Sequence, residues 1–308
     1  VLSKIFLGGK MSIRTGFIGL GAMGSPMALN IIKAGIPLIV HDVDDRKTRG
    51  HQKAGAEVMY SPMEIANASD RTICLVETTR QAEEVICGER GIIHGAKPGY
   101  IVICMSTINP TVAKRIASDL SLQEIFMLDA PVSGGTARAE NADLTVIAGG
   151  EKEIFNKCKD IFEAVGKDAF HIGGHGQGLV MKLINNMLGI TNTITLIEGL
   201  TIGAKSGIGL QTMLDVLRKS SGASAAVDLR VPRIIEGDFK PGGTVDIVYK
   251  DQELITAYAK QLGVPTLMAN VSQQVYQMAR TAGLNKEDSS AVVKIYENLA
   301  DVKVVGRK

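Results

Sequence analysis

Between residue 13 and about residue 174, short apolar runs alternate with longer amphipathic ones. Residues 15–19, 38–41, 71–76, 101–105, 125–129 and 144–148 are rich in Ile, Val and Leu without polar alternation, as strands of a sheet covered on both faces require. Residues 22–34, 45–54, 62–68, 81–87 and 110–120 between them carry apolar side chains at helical spacing. Asn109 and Pro110 read as an N-cap and a first-turn proline, so that helix starts where its strand stops. Strand–helix units of this length predict an α/β fold, a Rossmann-type doubly wound parallel sheet, over residues 11–174. After Gly173-Gly174-His175-Gly176 the pattern changes. Nothing from 177 to 205 is strong enough to stop a helix, and ~29 residues at 1.5 Å each reach about 43 Å. Gly189, Gly199 and Gly203 weaken it locally but let another helix come close. Residues 210–219, 225–235, 247–262, 265–282 and 286–299 continue as helices, with turns near Gly222, Pro241-Gly242-Gly243, Gly263 and Gly283. An all-α domain over 175–308, joined to the first by the long helix, is therefore expected.

Composition removes several function classes. Of 308 residues 45% are apolar and 21% charged, an ordinary globular balance, and the net charge of +2 is far from the basic excess of a general nucleic-acid binder. No uninterrupted apolar run approaches the ~18 residues of a membrane span, and residues 1–10 are too short for a secretory signal, so a cytoplasmic protein with no membrane partner is expected. Residues 1–10 receive no role in the fold. Cys74, Cys87, Cys104 and Cys158 lie far apart, with no C-x-x-C pair and no His at ligand spacing; they read as reduced, core or half-core thiols and not as a metal site. Glycine is in excess, 34 of 308.

Three segments carry chemistry. Gly19-Leu20-Gly21-Ala22-Met23-Gly24 is a G-x-G-x-x-G, a pattern expected about 0.4 times by chance in a chain this glycine-rich. Its position matters more: it follows a strand, opens a helix and precedes a second strand ending at Asp42. There the glycines allow a pyrophosphate to approach the helix N-terminus, while Asp42 accepts from the adenosine ribose hydroxyls. A tight strand–helix turn without nucleotide is the alternative. Asp42 favours NAD, because its carboxylate repels a 2′-phosphate; nearby Arg46 and Lys47, read as solvated helix charges, leave NADP open. In Asp129-Ala130-Pro131-Val132-Ser133-Gly134-Gly135 a strand breaks at proline, and the two bare glycines after Ser133 can present N–H groups to a carboxylate, although a generic loop explains the same residues. In the third segment Gly178, Lys182 and Asn186 are spaced by four and share one helical face, with the glycine leaving space above the lysine. Flanking Leu179, Val180, Met181, Leu183 and Ile184 predict a buried helix. Burial of Lys182 favours its neutral amine, the direction that a general acid/base needs, unless the side chain snorkels to water.

With these motifs in order, the chain resembles the β-hydroxyacid dehydrogenases over about residues 13–300: residues 16–24, Met105-Ser106-Thr107, residues 129–135, residues 176–186 and Lys250-Asp251. The resemblance implies hydride transfer between NAD(H) and a carboxylate-bearing β-hydroxy acid or its semialdehyde. It implies Lys182 as catalytic acid/base, Ser133, Gly134 and Gly135 as holders of the substrate carboxylate, and Asn186 as the residue that orients substrate or lysine. It places Thr107 and Lys250 beside the nicotinamide and substrate, although read alone they are a strand-end cap and a solvated charge. Two departures stand out. The family's Ala-x-x-Gly-Thr-Leu becomes Ala139-Glu140-Asn141-Ala142-Asp143-Leu144, which puts the local turn in question, and Val76-Glu77-Thr78 replaces an apolar pair, Glu77 being read as outward and solvated. Lys219-Ser220-Ser221-Gly222 resembles the 2-(hydroxymethyl)glutarate branch and points to a larger or dicarboxylic substrate; Arg138, Arg218, Arg230 and Lys240 read as surface charges rather than its second anion site. An imine reductase on the same scaffold, which needs neither Lys182 nor the Ser133 loop, and a non-catalytic dinucleotide-binding module, which needs no aligned Lys182 and Asn186, are the alternatives. The long apolar helix suggests a homodimer or homotetramer.

Overall fold

The computed structural model describes residues 13–307, so residues 1–10 lie outside the described residues. The chain forms two compact units, divided between Lys182 and Leu183. In the first, β1 (Thr15–Ile18), α1 (Gly24–Lys33), β2 (Leu38–His41), α2 (Thr48–Lys53), β3 (Glu57–Val58), α3 (Pro62–Ala68), β4 (Arg71–Cys74), α4 (Thr79–Cys87), β5 (Ile101–Cys104), α5 (Pro110–Ser121) and β6 (Phe126–Asp129) follow one another. The strands pair in parallel in the order β3-β2-β1-β4-β5-β6. Successive residues serve opposite faces: Phe17, Val40, Ile73 and Ile103 pack into one core, Ile18, Ile39, Cys74 and Val102 into the other. Both faces are therefore covered, which is why these strands show no polar alternation. Asn109 Oδ1 accepts from Thr111 and Val112 N–H and caps α5 as expected. All four cysteines are free thiols, three of them buried.

The expectation of a parallel sheet fails at its far side. β7 (Val132–Ser133) and β6 both pair antiparallel with β8 (Leu144–Gly150), and the register is continuous from one to the other. The two are one strand interrupted at Ala130-Pro131, where proline has no N–H to give the ladder. Only ten residues, including α6 (Gly135–Glu140), separate β7 from β8. That is less than the dozen or so that a parallel crossover needs, so the chain turns back on itself. After α7 (Lys152–Lys157) and α8 (Lys159–Val165), β9 (Gly166–Gly173) adds to the other edge of β8. Its apolar residues, Ala169, Phe170 and Ile172, are exposed and broken up by Lys167, Asp168 and His171, so it has no apolar run and the sequence pattern missed it.

The helix α9 (Gln177–Lys205) has the predicted bounds and runs from one unit into the other. In the second unit α10 (Leu210–Leu217), α11 (Ala225–Glu236), α12 (Val245–Gln261), α13 (Leu267–Thr281) and α14 (Val293–Ala300) are helical as expected. Ile190, Ile194, Ile197, Leu200 and Ala204 form one stripe of α9 in this unit's core. Among the described residues α9 is the one helix long and apolar enough to cross a membrane, and part of its apolar surface is the stripe packed in this core.

Candidate active site

Four of the parallel strands, β1, β2, β5 and β6, end where a motif or candidate residue stands. After β1, Gly19 takes a left-handed φ of 97°, and a Cβ there would collide with the Leu75 carbonyl; one on Gly24 would collide with that of Gly19. Gly21 differs: a Cβ would meet nothing within 4 Å, so its Cα borders open space. Helix α1 begins at Gly24 with no side-chain cap and no acidic residue in its first turn. Bare backbone, free space and an uncapped positive helix end are what a dinucleotide pyrophosphate needs, so the segment Gly19, Leu20, Gly21, Ala22, Met23 and Gly24 fits the group. Asp42, at the end of β2, is 6% exposed. It accepts from Leu20 N–H at 2.8 Å and Asp44 N–H at 2.9 Å, with Lys47 Nζ at 3.4 Å. A carboxylate has about four lone-pair sites, so it retains capacity for ribose hydroxyls. Lys47 and Arg46 are not merely solvated: the first pairs with Asp42 and the second with Asp44. Thr107 lies half-buried in the loop between β5 and α5.

The start of α9 is fixed to the sheet by Asp129, the last residue of β6. Its carboxylate, 1% exposed, accepts from Gly176 N–H at 2.7 Å and Leu179 N–H at 3.0 Å. Burial raises the Asp129 carboxyl above its ordinary range, and the two backbone donors oppose that shift. Gly178 explains the contact: a Cβ would lie 2.5 Å from the carbonyl oxygens of Asp129 and Ile147 and 2.6 Å from Gly149 N. Its hydrogen faces strand ends, not open space above Lys182, which corrects the sequence reading. One turn on, Lys182 is 8% exposed, which overturns the solvent-directed reading, but Met181 (38% exposed) and Ile184 (42%) beside it face outward, so the helix is not buried all round as its apolar sequence predicts. Ser133 ends β7, paired with Thr145, and Gly134 and Gly135 follow with φ of 147° and 74°, which only glycine adopts readily. A Cβ on Gly135 would meet nothing within 4 Å, so its Cα borders open space.

In the second unit Asn186 Nδ2 donates to Asp251 Oδ2 at 2.8 Å, and Lys250 Nζ lies 3.0 Å from Asp251 Oδ1. Lys250 is thus a quarter-exposed, paired side chain and not a solvated charge. Asp251, 7% exposed, joins the two predicted residues and had no role in the sequence reading beyond belonging to the Lys250-Asp251 motif. Its pairing across 65 positions has no local signal. Lys182 and Asn186 stand one turn apart on α9.

The departures have local explanations. Ala142 keeps the turn by adopting a left-handed φ of 52°, Asp143 N–H bonds to Arg138 O at 2.9 Å, and the Asp143 carboxylate pairs with Arg138 Nε at 3.1 Å. Glu77 is exposed, as expected. Arg218 is a surface charge paired with Asp228, but Arg230 is not: it is 21% exposed and pairs with fully buried Asp288.

Two family models cover the chain: the NAD binding domain of 6-phosphogluconate dehydrogenase over residues 14–173, and the NAD-binding domain of NADP-dependent 3-hydroxyisobutyrate dehydrogenase over residues 176–296. It is 35% identical to 2-(hydroxymethyl)glutarate dehydrogenase of Eubacterium barkeri, over 96% of this chain and 98% of that one. It is 33% identical to L-threonate dehydrogenase of Cupriavidus necator, over 94% and 98%. The crystal structure of 3-hydroxyisobutyrate dehydrogenase from Salmonella typhimurium superposes with a TM-score of 0.83 at 33% identity, over 92% and 99%. Imine reductase structures share 17–18% identity, a likeness of fold alone.

Proposed function

Because the chain belongs to the β-hydroxyacid dehydrogenase family and is thereby an NAD(P)-dependent oxidoreductase of 3-hydroxy acids, we propose that Lys182 is the acid/base of its hydride transfer. The nicotinamide supplies or accepts the hydride when bound. Toward the alcohol, protonated Lys182 gives its proton to the oxygen that becomes a hydroxyl; toward the carbonyl, the neutral amine takes it back. Ser133 with the Gly134 and Gly135 amides holds the substrate carboxylate and so sets the angle at which the carbon meets the hydride. Asn186, held by Asp251, orients the substrate hydroxyl, while Thr107 and Lys250 lie along the nicotinamide. Gly19 to Gly24 bind the pyrophosphate, and Asp42 takes the ribose and selects NAD over NADP. The observation that carries this reading is the burial of Lys182 on the helix whose first turn Asp129 clamps to the sheet.

The substrate is a β-hydroxy acid with a second carboxylate, supported by the likeness to 2-(hydroxymethyl)glutarate dehydrogenase. The dinucleotide-binding domain ends at 174, between the spans of the two family models and just before the helix that the two compact units share; the protein works in the cytoplasm without a nucleic-acid or membrane partner, and exposed Leu188 and Ile202 on α9 support a homodimer or homotetramer. With a panel of mono- and dicarboxylic β-hydroxy acids and NAD, Lys182→Met should bind NADH as the parent does and lose about 10³-fold in turnover. Turnover within a factor of ten of the parent would remove Lys182 from the mechanism.

A further inference from the structure

Three residues beyond β2 set a second control on the choice of dinucleotide. Arg46 follows Asp42 by four positions, and a guanidinium there is a natural partner for a 2′-phosphate. It is not presented freely. Arg46 Nε donates to Asp44 Oδ1 at 2.8 Å and its terminal nitrogen to Asp44 Oδ2 at 2.9 Å, a bidentate fork that uses the face of the guanidinium suited to a phosphate. Asp44 is itself fixed: its N–H donates to Asp42 Oδ1 at 2.9 Å, and its carboxylate accepts from Arg46 N–H at 3.1 Å, capping the short turn Asp45–Lys47. The same acid therefore holds both the backbone and the side chain of Arg46, next to the carboxylate that faces the ribose.

We propose that Asp44 enforces the preference for NAD(H) by sequestering Arg46, which would otherwise receive the 2′-phosphate of NADP(H). The inference rests on the assignment of Asp42 to the ribose and adds a second, indirect determinant beside it. The hydrogen bond from Arg46 lowers the Asp44 carboxyl to about 2, so it stays ionised near neutral pH. The pair is at the surface, with Arg46 80% and Asp44 29% exposed, and surface pairs are weak. Releasing Arg46 should therefore change NADPH affinity by about three- to tenfold, not by orders of magnitude.

The test is a double-mutant cycle on the full chain, with dissociation constants for NADH and NADPH read from the fluorescence of the reduced nicotinamide. Asp44→Ser keeps a hydroxyl cap for Arg46 N–H and removes the fork. It should tighten NADPH by three- to tenfold and leave NADH within twofold. Arg46→Ala alone should change neither, because the arginine is engaged, and Asp44→Ser/Arg46→Ala should bind NADPH as Arg46→Ala does. A gain that survives in the double variant would show that Asp44 acts through its own charge and would overturn the proposal, as would no gain in Asp44→Ser. A parent that binds both dinucleotides equally would instead overturn the Asp42 assignment. Thermal unfolding of each variant separates a folding defect from a change in affinity.

Discussion

Replacing Gly178 by alanine tests the link between the sheet and the helix that carries Lys182. A methyl there would sit 2.5 Å from two backbone oxygens, while ordinary carbon contacts lie at about 3.5 Å, so the first turn of α9 must retreat by nearly an ångström. That movement opens the bonds from Gly176 and Leu179 N–H to Asp129, now 2.7 and 3.0 Å long. Hydrogen bonds to a charged group contribute about 1.5–3 kcal/mol each, and alanine returns up to ~1 kcal/mol of helix propensity, leaving a net loss of about 2–5 kcal/mol. Lys182, one turn further, moves with the helix, and a displacement of that size costs on the order of 10²-fold in turnover. The control lies on the same helix. A Cβ on Gly189 would meet nothing within 4 Å, so Gly189→Ala should be neutral or stabilising by up to ~1 kcal/mol, with unchanged kinetics. Urea unfolding and steady-state kinetics on both variants decide the matter. If Gly178→Ala matched Gly189→Ala in midpoint and in kcat, the clamp would not exist as described.

Three further outcomes follow from the geometry. Ala142 holds a left-handed φ of 52°, so Ala142→Gly should stabilise the protein by about 0.5–1 kcal/mol, the αL penalty less the added freedom of the unfolded glycine; a lower denaturation midpoint would contradict this. Arg71, 1% exposed, donates to Thr15 Oγ1 at 3.0 Å and Lys157 O at 3.2 Å and forms an ion pair with Asp160, whose side chain is 48% exposed. Asp160→Ala strands a buried cation and should cost about 3 kcal/mol, whereas Arg71→Met returns a carboxylate to water and should cost less; the reverse order in chemical denaturation would refute the asymmetry. The Asp129 carboxyl is raised in the fold above its unfolded value, so the folded state binds its proton more tightly, and this group's stabilisation is present at low pH and lost as pH rises through the raised value. Relative to Asp129→Asn, the parent's denaturation midpoint should therefore fall from about pH 4 upward until that carboxyl is ionised, and a flat difference would refute the assignment.

Local pattern alone was enough for the six main strands, the long helix and the G-x-G-x-x-G with Asp42, because each depends on burial of contiguous residues or on backbone freedom written into glycine. Residues 177–205 were legible to their ends, since turn punctuation is local. The burial of Lys182 was legible from its apolar neighbours only in part, since two of them, Met181 and Ile184, are themselves exposed. What the chain does at Ala130-Pro131 was not legible: proline announced a break, but only pairing with β8 shows one strand continuing in register beyond it and a hairpin in place of a crossover. β9 was invisible because an exposed edge strand need not group its apolar residues, and here Ala169, Phe170 and Ile172 are broken up by polar ones. Asp129, Gly178 and Asp251 acquire their roles from partners 47, 49 and 65 positions away; Arg230 is drawn out of solvent by Asp288, 58 positions on. Such contacts are decided by where packed layers bring distant segments together, and no spacing rule along the chain encodes that.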